Sequence, residues 1–144
     1  MKVSTTHKLY SLEILRLATS LLHNDSLETP QGSATCRAPL CGSEVTVDVA
    51  MDDFSYITGL AIRAKACALG QASAAVLRTK ALGNNAAQIR QINENLKTVL
   101  QQGYGDLAWS ELEPFRYASD FPARHGAILL PFDTLIAALE KAER

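Results

Sequence analysis

Between residues 44 and 64 the chain alternates twice between apolar and polar side chains, a pattern that few folds can use. Val45, Val47 and Val49 alternate with Glu44, Thr46, Asp48 and Ala50, which is the period-two signature of a half-buried strand. Asp52-Asp53-Phe54-Ser55 then supplies turn residues. In the next run Leu60 and Ile62 share one face and Gly59, Ala61 and Arg63 the other, so the Leu60 and Ile62 face is expected to be buried. Two such runs around a short turn predict an antiparallel hairpin over Glu44 to Met51 and Tyr56 to Ala64. A short strand near Ala34 to Arg37 precedes it, completing a three-stranded meander.

Helical spacing flanks this sheet on both sides. Leu9 to Leu22 carries apolar residues mostly three and four apart, with Thr5 or Thr6 available as cap, and is expected to pack across the sheet. After the breaker-rich stretch from His23 to Ser33, the three strands follow. The chain then turns helical from Ala68 to Leu82, stops at Gly83-Asn84-Asn85, and resumes under an Asn84 or Asn85 cap with Ile89, Ile92, Leu96, Val99 and Leu100 in register. A one-turn segment is expected around Pro114, from Trp109 to Phe115. The last helix is expected from about Arg124 or Gly126 to Lys141, broken or bent at Pro131. Helix, strands, then helices is a segregated order, which predicts an α+β fold: a three-stranded antiparallel sheet packed with an N-terminal helix and several C-terminal helices. At 144 residues and 47% hydrophobic, the chain suits a single domain over 1–144 with a real core.

Charge excludes several functions. Fourteen basic residues against fifteen acidic ones leave no net field for nucleic acid or an anionic membrane. The first residues are polar without an apolar region behind them, and no stretch approaches the roughly 20 apolar residues of a membrane span. The expectation is a cytoplasmic protein with no nucleic-acid or membrane partner.

Cysteine placement points to chemistry. Cys36, Cys41 and Cys67 are an odd number without a secretory signal, which argues against a disulfide framework. Cys41 sits in the turn Pro39-Leu40-Cys41-Gly42-Ser43, before the second strand. Cys67 follows the third strand where a helix starts, so the antiparallel pairing brings both thiols to one end of the sheet. Helix-start N–H groups and the helix dipole favour an anion there, so the Cys67 thiol is expected to ionise readily. Two thiolates can ligate zinc or iron or accept sulfur, yet a tetrahedral site wants four donors. His125 is a candidate donor, as are Glu44 and Cys36, each with a plainer alternative: hydrogen bonding or packing for His125, solvation for Glu44, and packing for Cys36. A Cys67–His125 nucleophile pair lacks an evident orienting group, and Gly103-Tyr104-Gly105 lacks the context of a phosphate loop.

The turn around Cys41, the strands after it, Cys67-Ala68-Leu69-Gly70-Gln71-Ala72-Ser73-Ala74, and Pro122-Ala123-Arg124-His125-Gly126-Ala127-Ile128-Leu129-Leu130-Pro131 together resemble the IscU, SufU and NifU N-terminal scaffolds of iron–sulfur cluster assembly. With Leu9-Tyr10 and the first helix, the resemblance covers nearly the whole chain. It implies a SufE/NifU-like fold and a non-enzymatic protein that holds an iron–sulfur cluster, or zinc in its place, receives sulfur from a cysteine desulfurase and passes clusters to acceptor proteins. Cys41 and Cys67 match the first and second family cysteines. Ser43 stands at the family's aspartate and Ala127 at its third cysteine. The resemblance therefore implies either a scaffold-like protein binding metal through Cys41 and Cys67, or a degenerate paralogue that lacks metal and regulates a desulfurase by docking on it.

Overall fold

The structure, a computed structural model, describes residues 8–21, 25–40 and 42–143. Helix α1 (Leu12–Ser20) leads into β1 (Gly32–Arg37), β2 (Glu44–Met51) and β3 (Ile57–Lys65). Then follow α2 (Ala68–Lys80), α3 (Ala86–Gln102), a 3-10 helix (Ser110–Asp120) and α4 (Pro122–Ala142). The strands pair antiparallel in the order β1-β2-β3. This is the α+β architecture expected, with helices following the strands.

Register shows why the alternation reads correctly. Val45, Val47 and Val49 lie opposite Ala64, Ile62 and Leu60, and opposite Cys36, Ala34 and Gly32 on the other side. These residues make the inner face, on which the three valines and Ile62 are fully buried. Helix α4 lies along β1 and β2, and α2 runs beside β3 and α4. Gly32 is obligatory in this packing, since a Cβ there would sit 2.1 Å from the Ala138 carbonyl oxygen. The C-terminal end of α4 is thus seated at the start of β1. Its N-terminal half lies toward the other end of the sheet, where β3 runs out into Cys67.

Several element boundaries differ from expectation for local reasons. α1 starts at Leu12 because Ser11 caps it, the hydroxyl accepting from the Ile14 N–H at 3.3 Å. Thr5 and Thr6 lie outside the described residues, as do Leu22 and His23. The helix packs principally on α2 instead of across the sheet. Around Pro114 the chain forms an eleven-residue 3-10 helix in place of a single turn. α4 begins earlier than expected, with Pro122 in its first turn, a position where a missing N–H costs nothing. It then continues unbroken through Pro131. Proline cannot donate to the Ala127 carbonyl one turn back, and that carbonyl faces the glycine face of α2 at Gly70. One residue on, the buried Ser73 hydroxyl donates to the Ile128 carbonyl at 2.6 Å, tying α2 to α4 beside the proline. The expected cap of α3 is present as a capping box, Asn85 accepting from the Gln88 N–H while the Gln88 side chain accepts from the Asn85 N–H.

Candidate functional site

Three elements converge at the end of the sheet where β1 stops, β2 begins and β3 ends. The connection from β1 to β2 closes through the Ala38 N–H on the Ser43 carbonyl at 2.9 Å and the Gly42 N–H on the Ala38 carbonyl at 3.0 Å. Gly42 takes φ +70, a left-handed conformation that suits glycine, and its α-carbon faces open space. Leu40 is 86% exposed on this turn. Cys41 lies outside the described residues. Ser43 is buried, at 4% exposure.

Cys67 is the N-cap residue of α2, with φ −66 and ψ 173, and no side-chain capping bond from its sulfur. It occupies the helix start, one position ahead of the first turn. Its thiol is free and partly buried, packed at the edge of the core. One turn later Gly70 lets α4 approach. A Cβ on Gly70 would meet the Ala127 carbonyl oxygen at 3.3 Å and the Ala66 methyl at 2.8 Å. The start of α2 and the Ala127 turn of α4 are therefore in contact, which is where a third donor from α4 would have to come from. Ala127 is buried at 3% exposure and offers none.

His125, two residues before Ala127, holds its Nε2 2.7 Å from the Ala118 carbonyl oxygen, partly buried. A carbonyl only accepts, so Nε2 carries a proton, which in the neutral ring leaves Nδ1 as the nitrogen with a lone pair. That is the arrangement by which a ligating imidazole is commonly oriented, a backbone carbonyl fixing the tautomer. The other residues weighed from sequence have settled roles. Glu44 pairs across the strands with Arg37 at 3.0 Å. Cys36 faces inward beside Val45 and packs on the core. Among the described residues no group of three or more His, Cys, Asp or Glu side chains is arranged to hold a metal ion.

Sequence reasoning missed a polar network on the outer sheet face. Asp48, in the middle of the valine strand, accepts from Arg63 at 2.9 and 3.3 Å, from the Ser33 hydroxyl at 2.6 Å and from the Leu27 N–H at 3.2 Å. Burial pushes its carboxyl up, but the Arg63, Ser33 and Leu27 hydrogen bonds and the Arg63 charge outweigh this and hold it below the ordinary value of 3.8. The Arg63 guanidinium also donates to the Asp25 carbonyl at 2.7 Å, and the Asp25 carboxylate pairs with Arg78 at 2.7 Å. The signal was present as an acid and a base at outward-facing positions of neighbouring strands.

Among the described residues no helix is long and apolar enough to cross a membrane. No protein-family model matches the chain, and no curated protein does. Among solved structures it is similar to a nitrogen-fixing NifU-like protein (N-terminal) from Brucella abortus, at 31% identity and TM-score 0.87, over 97% of this chain and 98% of that one. It is also similar to a putative iron–sulfur cluster assembly scaffold protein for the SUF system from Fervidobacterium islandicum AW-1, at 23% identity and TM-score 0.78, over 93% of this chain and 98% of that one. A hypothetical protein shares the fold at 18% identity and TM-score 0.78, over 92% of this chain and 97% of that one.

Proposed function

The chain belongs to the NifU/IscU/SufU family, and on that premise we propose that it is a scaffold-like protein of iron–sulfur cluster assembly, taking iron, zinc or a nascent cluster as cargo through Cys41 and Cys67. The observation that carries this reading is the free, partly buried Cys67 thiol at the start of α2, with the Ala127 turn of α4 packed one helical turn away. A sulfur that makes no capping bond and sits on rigid secondary structure is available to a soft metal without rearranging the fold. His125 is the third donor in this reading, through Nδ1, its orientation fixed by the Ala118 carbonyl. The protein binds and hands over cargo and catalyses no turnover of its own. Its partners are a cysteine desulfurase and iron–sulfur acceptor proteins, in the cytoplasm.

Ser43 and Ala127 favour a second reading. Both are buried, and neither presents a donor as strong as a carboxylate or thiolate. A chain that has kept the fold and lost part of the donor set would act as an interaction module on a desulfurase without holding metal. Anaerobic purification followed by elemental analysis separates the two. The scaffold reading expects zinc or iron in the wild type, lost in Cys41→Ala and Cys67→Ala and weakened in His125→Ala. A metal-free protein that stays colourless after reconstitution with iron, sulfide and a desulfurase, yet captures the desulfurase, would establish the module instead.

A further inference from the structure

The outer face of the sheet is divided into two unlike halves. One half is covered by the chain itself: the extended segment after residue 24 crosses it, with Leu27 seated against Gly59, the Leu27 N–H on Asp48, and the Asp25 backbone and carboxylate on Arg63 and Arg78. Under that segment Asp48 and Ala61 are buried although they point away from the helices. The other half, toward Cys67, has no such cover among the described residues. Register sets Arg37, Glu44 and Lys65 side by side in one row there, and Thr35, Thr46 and Arg63 in the next. A shallow depression of about 380 Å³ lies between Glu44, Thr46, Arg63, Ala64 and Lys65.

The charge of this open half runs against that of the chain. It carries Arg37 and Lys65 against Glu44, in a protein whose formal net charge is −1. Arg37 occupies the Glu44 carboxylate, and Arg63 the buried Asp48. Lys65 is exposed and forms no ion pair among the described residues. The covered half shows what this face accepts: an extended, acidic stretch of polypeptide, with a backbone carbonyl meeting Arg63 and a leucine side chain settling on the pleat at Gly59.

We propose that the open half of the outer sheet face, centred on Arg37 and Lys65, is a docking surface for an extended acidic segment of a partner protein. Complementary charge on such a surface speeds encounter and fixes orientation more than it adds affinity. Lys65 lies two residues before Cys67, so a partner held there is brought beside the thiol end. That consequence rests on the scaffold reading, whereas the docking itself does not.

The test uses a fluorescent oligoglutamate peptide with the full-length protein, and an oligonucleotide of equal charge alongside. Binding of the peptide should weaken about tenfold in Arg37→Gln/Lys65→Glu and fall steeply between about 50 and about 200 mM salt. Lys141→Glu, on the last turn of α4, should change nothing. Metal content is measured on the same proteins and should be unaffected, while Cys67→Ala should keep peptide binding, so loss of docking and loss of cargo are read separately. Should the double variant fold poorly, Lys65→Gln alone must still weaken binding severalfold. Peptide affinity that is undetectable in the wild type, or unchanged in these variants, would overturn the proposal, as would tighter binding of the oligonucleotide through the same residues.

Discussion

The Asp48 network and the Cys67 corner lie on the same small sheet and handle polar groups in opposite ways. Asp48 is buried at 5% exposure, and its carboxylate is met by Arg63, Ser33 and the Leu27 N–H. The network pins the segment at Asp25 to β3 and, through Arg78, to α2. At Cys67 the sulfur makes no cap bond, and its neighbours along α2 and α4, Gly70 and Ala127, are small. One region spends its polar atoms on holding the chain together, and the other withholds them. Stability and cargo handling should therefore be separable by mutation, each region failing in its own assay.

The largest effect should come from the closed region. Asp48→Asn leaves the Arg63 guanidinium without its carboxylate, and we expect a loss of about 3 kcal/mol in denaturant unfolding, moderated by the partial exposure of Arg63. Metal content at low temperature should be unchanged, and a loss of metal in the folded variant would break the separation. Gly70→Ala comes next, at about 2 kcal/mol, because its Cβ would press on Ala66 and on the Ala127 carbonyl. Unlike Asp48→Asn it should also disturb metal uptake, since it moves α4 relative to the start of α2.

Acid sharpens the same contrast with a smaller effect. The folded Asp48 carboxyl lies below its ordinary value of 3.8, so its contribution is fully present above that value and is lost as pH falls through the lower, folded one. Unfolding free energy should drop below about pH 4 more steeply in the wild type than in Asp48→Asn. Parallel curves would show that another carboxylate dominates. Cys67→Ala should be the mildest, at under about 1 kcal/mol in stability, because its thiol is only partly buried and makes no cap bond.

What the sequence disclosed follows the same division. Periodicity located the three strands and the core helices, because the valine alternation and the Ile89 to Leu100 spacing answer directly to burial. Ends and irregular pieces were less legible. The Ser11 cap outcompetes the apolar spacing that continues back to Leu9, and proline at the start of α4 marks a boundary where periodicity alone started the helix later. The 3-10 helix carries no periodic stripe long enough to announce its length. The family resemblance rested on residues around the thiols, and the fold it implied is the one observed. The outer-face network was hidden because Asp25 and Asp48 are far apart in the chain, and only the strand register brings Arg63 between them. The His125 bond to Ala118 depends on how the 3-10 helix meets α4, which no local pattern encodes.

The separation stands or falls on cargo binding at the thiol end. The most direct measurement is zinc and iron content of anaerobically purified wild type, Cys67→Ala and Asp48→Asn, each verified as folded. The account predicts metal in the wild type and in Asp48→Asn, and none in Cys67→Ala. Equal metal in wild type and Cys67→Ala, or none in any of the three even after reconstitution with iron and sulfide, would contradict it.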